Sequence, residues 1–553
     1  MKNKVKMTAA GNIAFIVAIF AILSLMSSYI LLKSHFVGSS IDIVFHWSRI
    51  YEIKNSILNG NGLFLPVALN KFNESGSAVM TMYPYLNLMP VVLLSFVVKS
   101  FVHLVYITFI LRNFLSLIVA FVACYRFNKN KWVSFVFSIS YVLSTMTLFY
   151  SFILMDMGVS SSLIFIPLAL FGTFRLITDR KWLELAIGMS ALIFCHVITA
   201  VMIAALVIVI LAINWRSVFN KATLIALGKC VVTTLLVTSV FWIPFVYLYF
   251  HNQISMPIVW WQLGGTDVNA FMGFVFNNSV SLIVNIMTVR YITTIAFVGL
   301  IVGIVYYRRM ARFEKQIFWI AIATLFITSS LFPWNELNNT FIRSTFQFSW
   351  RLFLVTQVLL CYIFAVSAIK LCKNKKQILG ITCLATFAVI SMQVSGQRQV
   401  VDHFYHNRYD IHHIIKDDQG LYRDYFPKEA LKISKNITKH KATVNKHKHI
   451  RVKLLENGKF TFKLSRKTKS IKMPFVMYDG IKYQVKVDGK NDKFHADKNS
   501  QLTINNVNKG KHTVQVIVHK SWYDYLSYLL SSLGIVILLY SLTKEYWLKR
   551  KNE

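Results

Sequence analysis

Of 553 residues, 55% are hydrophobic and 15% aromatic, and the mean hydropathy is +0.52; these values exclude an ordinary soluble globule and point to a polytopic membrane protein. A formal net charge of +37 is high for that class, so topology or partners must account for it. The six cysteines (124, 195, 230, 361, 372 and 383) all lie in or beside apolar segments, which argues against a disulfide framework.

The amino end, "MKNKVKMTAAGNIAFIVAIFAILSLMSSYILLK", has basic residues followed by an apolar stretch of roughly 20, enough to cross a bilayer and longer than a signal-peptide core. It predicts a retained first span. Further apolar runs fall at about 101–125, 131–150, 159–177, 181–197, 198–214, 223–248, 290–307, 316–333, 350–371, 377–396 and 523–543. The connections "RFNKNK", "TDRK", "NWRSVFNK", "YYRRMARFEK" and "KLCKNKK" and the tail "KEYWLKRKNE" are basic, whereas the alternate connections carry almost no Lys or Arg. About 12 spans, in the cell membrane with both termini cytoplasmic, satisfy this pattern. The segment 83–99, with two prolines and a short apolar stretch, then has to remain on the outer side without crossing.

The expected division is a transmembrane domain over 1–396, with a first external loop at 34–84 and a juxtamembrane segment at 85–99. An extracytoplasmic β-sandwich-like domain over 397–522 follows, then the last span and basic tail at 523–553. In 397–522 the apolar content collapses and 27 Lys/Arg stand against 11 Asp/Glu. The alternating runs "KFTFKLS", "IKYQVKV" and "HTVQVIV", separated by turn signals, predict antiparallel strands. No internal repeat, nucleotide-binding glycine loop or cytoplasmic domain of ATPase size is visible.

After the first span comes "GSSIDIVFHWSRIYEIKNSILNG" (38–60). On a helix, Asp42, His46 and Arg49 share one face. A carboxylate there can accept a proton from an attacking hydroxyl, and a guanidinium can hold a phosphate by paired hydrogen bonds. The alternative is an interfacial amphipathic helix whose charges meet lipid headgroups.

Asp42-x-x-Phe45-His46-x-x-Arg49 resembles the first-loop signature of the YfhO-like membrane proteins, within the GT-C superfamily of polyprenyl-phosphate-sugar-dependent glycosyltransferases. "YPYLNLMP" (83–90), beginning at Tyr83, resembles the Tyr-Pro juxtamembrane segment that follows. "MDMGVSSSLIFIPLALFG" (155–172) resembles the second-loop acidic position and the Pro-Leu span after it. "STFQFSWRLFL" (344–354) is similar to the family's Gln-Phe-Pro-Trp-Arg-Phe motif, with Ser349 in place of proline, and "YRDYFP" (422–427) resembles a motif opening the external domain. The resemblance implies a GT-C fold and an inverting, hexosyltransferase-like enzyme using a lipid-phosphate sugar donor at the outer face. Asp42 would be the catalytic base. Asp156 would be a second catalytic acid that positions donor, acceptor or a divalent cation, or else a helix cap. His46, Arg49, Tyr83, His196, Gln347 and Arg351 would bind substrate.

Arg351 and Arg343 flank "FQFSW"; either is a candidate phosphate clamp or an interfacial anchor beside Trp350. Arg112, mid-way along the second span, is a candidate intramembrane polar site or a structural pair. His196 lies in a short turn where a packing histidine is the plainer reading. "DHFYHNRYDIHH" (402–413) fits no standard zinc framework, and no metal site is expected. The expected partners are a polyprenyl-phosphate-linked sugar, the lipid bilayer and an anionic cell-wall polymer such as teichoic acid, the last on charge grounds; anionic headgroups are the other reading of that charge. Nucleic acid is not expected. Two competing functions are a transporter or flippase of lipid-linked sugars or wall polymer, and a non-catalytic assembly subunit.

Overall fold

Asparagines and positive-φ residues end and restart the helices at most of the basic connections. In "RFNKNK" the helix Phe101–Asn128 stops at Lys129 (φ 63°). Asn130 then caps Lys131–Val142, its Oδ1 accepting from Trp132 N at 3.0 Å and Val133 N at 3.2 Å. This is the ordinary way to satisfy the unpaired N–H groups of a first helical turn. The computed structural model describes residues 9–38, 42–257, 262–280, 292–404, 408–409, 423–445 and 448–552, without the side chains of 9–12, 403–404, 408–409 and 548–552.

The chain is a mostly helical, multi-pass membrane protein with a C-terminal β-sheet domain placed before a last apolar helix. Among the described residues, seven helices are long and apolar enough to cross a membrane: Ile13–Ser34, Phe101–Asn128, Lys131–Ile153, Met157–Asp179, Ser349–Lys370, Lys375–Asp402 and Trp522–Trp547. The pair Lys221–Val237 and Ser239–His251, bent by 70°, makes an eighth if it is one span. The other four expected runs appear as the shorter helices Leu183–Cys195, Val197–Ile213, Thr294–Tyr306 and Arg312–Thr328. The helix Leu86–Val97 reaches only about 18 Å at 1.5 Å per residue, against about 30 Å of hydrocarbon.

Two compact units divide the chain differently from the expected boundaries. One takes 1–41, 98–232 and 259–409, the other 42–97, 233–258 and 410–553. In the first, Lys131–Ile153, Met157–Asp179 and Ser349–Lys370 are deeply buried, whereas Ile13–Ser34 and Lys375–Asp402 are largely exposed at the periphery. Small residues let helices meet closely: a Cβ on Gly188 would sit 2.7 Å from Ala169 N, and one on Gly172 2.7 Å from Leu185 N. Arg175 and Arg126 converge on buried Glu184, the latter at 2.8 Å.

In the second unit, ten strands among the described residues form two antiparallel sheets. They are β1 (Lys441–Val444), β2 (Lys448–Arg451), β3 (Lys453–Leu454), β4 (Lys459–Leu464), β5 (Thr468–Val476), β6 (Lys482–Val487), β7 (Lys490–Asn491), β8 (Phe494–Ala496), β9 (Gln501–Val507) and β10 (Gly510–His519). The sheet orders are β8-β9-β5-β1-β2 and β3-β4-β10-β6-β7. Alternation drives this: Phe460, Phe462 and Leu464 of β4 are buried, and Lys459, Thr461 and Lys463 are not.

The expected boundary at 397 does not mark a structural break, because the helix Lys375–Phe404 runs through it. The first loop belongs with the β domain because its backbone completes that domain's hydrogen bonding. Gly458 N donates to Leu69 O at 3.0 Å, Val476 N to Ser75 O at 2.7 Å, and Ala78 N to Tyr478 Oη at 3.0 Å.

Candidate active site

The "DIVFHWSR" stretch becomes the start of the helix Ile43–Leu58, with Asp42 half-buried at its N-cap position. The Asp42 side chain makes no capping bond to the helix. His46 and Arg49 share the expected face, with Arg49 Nη1 and His46 Nδ1 3.4 Å apart, and both are buried. Arg49 is not placed as a phosphate clamp. Its guanidinium donates to the backbone carbonyls of Tyr83 (3.2 Å) and Pro84, and lies 4.4 Å from the Tyr83 ring centroid. With none of its surface exposed, Arg49 positions the Tyr-Pro segment against the helix, and Tyr83 serves that contact. His46 packs edge-on to Phe45 and Tyr83.

The residue that sequence reasoning passed over is Glu52, one turn further and fully buried. Its carboxylate accepts from Leu69 N (2.8 Å), Asn70 N (2.9 Å) and Lys71 N (2.6 Å), and from Asn70 Nδ2 (3.1 Å). Burial pushes its pKa up to about 7, against the pull of these donors. An acidic residue inside the apolar stripe of an amphipathic helix was the available signal.

Directly after this nest, Phe72, Asn73 and Glu74 have φ of 56°, 58° and 49°, a left-handed turn that costs about 1–2 kcal/mol per residue. Asn457 N, donating to Asn70 Oδ1 at 3.1 Å, joins the backbone contacts above in holding the loop. Gly76 (φ 76°) lies where a Cβ would be 2.6 Å from the Phe475 ring. Burial pushes the Glu74 carboxyl up to about 8; the charges of Glu456 and Glu52 add to this, while the Glu456 N–H and Lys71 oppose it. A carboxyl raised in the folded state stabilises fully below the unfolded value of 4.5, and that stability is lost as pH rises through about 8. The thermal midpoint is therefore expected to fall between pH 6 and pH 9, and Glu74→Gln to flatten the fall, an effect on the order of a few kcal/mol. Equal slopes for the two proteins would remove Glu74 from this account.

In the other unit, Asp156 caps the helix Met157–Asp179. Its Oδ1 accepts from Gly158 N at 2.9 Å and Val159 N at 3.0 Å, the capping alternative realised. Arg112 reaches the same turn: Nη1 donates to Ser160 Oγ at 2.7 Å, and that hydroxyl donates to Asp156 O at 2.5 Å. The candidate intramembrane arginine and the second-loop acid thus meet, although they are far apart in sequence. A π-helical turn, Phe149–Ile153, and Met155 (φ 56°) lead into Asp156. Trp350 packs on that turn, 6.2 Å from Tyr150 and 6.3 Å from Phe149.

Arg351 is largely buried and bonds its own turn, donating to Phe346 O at 2.8 Å and Gln347 Oε1 at 3.0 Å. Gln347 has φ 63°, so Arg351 braces a strained turn. Ser349, where proline was expected, donates its hydroxyl to Gly264 O, a tether that proline lacks. His196 caps Val197–Ile213, its Nδ1 accepting from Thr199 N at 3.2 Å.

Among the described residues no three His, Cys, Asp or Glu side chains gather as metal ligands would. The His-rich stretch 405–407 and 410–413 lies outside the described residues.

No protein-family model matches the chain, and no curated protein matches it. Among solved structures, the chain is similar to the crystal structure of ArnT from Cupriavidus metallidurans bound to undecaprenyl phosphate. The TM-score is 0.38 and the identity 13%, over 78% of this chain and 81% of that one, a likeness too slight to assign a family.

Proposed function

We propose that the chain is a GT-C-type, YfhO-like glycosyltransferase. It would move a sugar from a polyprenyl-phosphate carrier to an anionic envelope polymer of the teichoic-acid kind, outside the cell. The observation that carries this reading is Asp42: a half-buried carboxylate at the head of a helix, not used to cap it, on the same helical face as buried His46 and Arg49. In this reading Asp42 takes the acceptor hydroxyl proton as the new bond forms at the anomeric carbon. The bond to the carrier phosphate breaks, polyprenyl phosphate leaves, and configuration inverts. A cationic donor at the outer face would offset the charge on the leaving phosphate.

The test is to supply membranes with a radiolabelled polyprenyl-phosphate sugar and wall polymer. Label on the polymer supports a transferase. Label that crosses the bilayer still attached to its lipid, with none on the polymer, would establish the flippase instead.

A further inference from the structure

The outward face of the β3-β4-β10-β6-β7 sheet carries a charge pattern that the transfer reaction does not use. Residues directly opposite in an antiparallel pair share a face, so the register identifies its members. Lys463 lies opposite Lys511. On the next rung Thr461 sits between Lys453 and Thr513, and beyond it Gln515 sits between Lys459 and Lys486. At the far end His519 is opposite Lys482. Their alternates, among them Phe460, Phe462, Val514 and Val485, are buried. No carboxylate occupies any of these paired positions, and no ion pair holds these lysines among the described residues. Asp488, in the turn after β6, is engaged by His512 at 2.8 Å. The other sheet differs: its Lys472, between Thr443 and Thr503, is paired with Asp497 at 2.5 Å.

Like charges set opposite one another destabilise a sheet, so an uncompensated lysine face calls for a counter-charge from outside. From Lys511 to His519 the strip is about 27 Å long, with rungs about 7 Å apart. That geometry suits a linear chain carrying an anionic group at each short repeat. The paired positions include no Trp, Tyr or Phe, and Ile517 is their one outward aliphatic. A bilayer-docking face would present Trp, Tyr or Phe for insertion, and recognition of a neutral glycan would use rings for stacking. We propose that this face binds a water-soluble linear polyanion along the strand direction, using none of the candidate transfer residues.

The test uses the full-length chain in detergent micelles and labelled linear inorganic polyphosphate. The variant Lys459→Gln/Lys463→Gln/Lys486→Gln/Lys511→Gln is compared with Lys432→Gln/Lys435→Gln/Lys448→Gln/Lys469→Gln, which removes as many exposed charges elsewhere. The face variant is expected to bind about tenfold or more weakly with a shallower salt dependence, and the second variant to stay within about twofold of wild type. Its thermal midpoint should equal or exceed wild type, since repulsion has been removed. Equal losses in both variants, or none in the first, would overturn the proposal. So would a lowered midpoint, or a loss confined to phosphatidylglycerol vesicles. No sugar donor enters the measurement, so its outcome is independent of the transfer assay.

Discussion

Membranes carrying Asp42→Asn are expected to transfer sugar about 10²–10⁴-fold more slowly than wild type, the usual span for removal of a general base. The substitution preserves size and leaves the helix start intact, because the Asp42 side chain makes no capping bond to lose and Asn is accepted at an N-cap position as readily as Asp. Protein level and protease sensitivity should therefore be unchanged. Asp156→Asn is the informative partner. Its carboxylate accepts the Gly158 and Val159 N–H groups through a single oxygen, a role the Asn carbonyl can keep. If Asp156 only caps its helix, the rate should move by less than about threefold, since capping is worth about 1 kcal/mol even when wholly removed. Full transfer by a normally folded Asp42→Asn chain, with transfer lost in Asp156→Asn, would move the base to Asp156.

Glu52→Gln is expected to destabilise the unit that holds the first loop by about 3 kcal/mol. Three backbone N–H groups and one amide converge on the carboxylate, and Gln turns one acceptor into a donor facing donors. A buried N–H left without an acceptor costs about 1–3 kcal/mol, and bonds to a charged group are at the strong end. The loop holds three consecutive left-handed residues, so losing its anchor should release it first. Protease cleavage within 66–78, before global unfolding, is the measurement. A variant that keeps both its thermal midpoint and its resistance at 66–78 would show that the contacts with β4 and β5 hold the loop unaided.

Much of the architecture was legible in the chain. Apolar runs divided by Asn, Ser and basic residues became helices, and period-two alternation became strands, because both patterns depend on neighbours a few residues away. Asp42, His46 and Arg49 lie on one helical face for the same reason: that relation needs only 3.6 residues per turn. Four expected spans came out as shorter helices. One break, at His196, follows a local event, its ring capping the next helix, which hydropathy does not register.

What the sequence by itself determined, then, was class, order of elements and which side chains share a helix or strand face. Tertiary structure decided what those side chains do. Arg49 reads as a phosphate ligand until Tyr83 and Pro84 bring their carbonyls to it across 34 and 35 residues. Glu52 has no assigned role until the backbone of 69–71 closes on it. Arg112 finds Ser160 and the Asp156 turn only once two helices pack. The first loop joins the β domain through hydrogen bonds spanning nearly 400 residues of chain, as with Ala78 and Tyr478. A buried polar group must find a partner wherever the fold supplies one; which partner that is depends on chain distance closed by packing, and no local pattern encodes it.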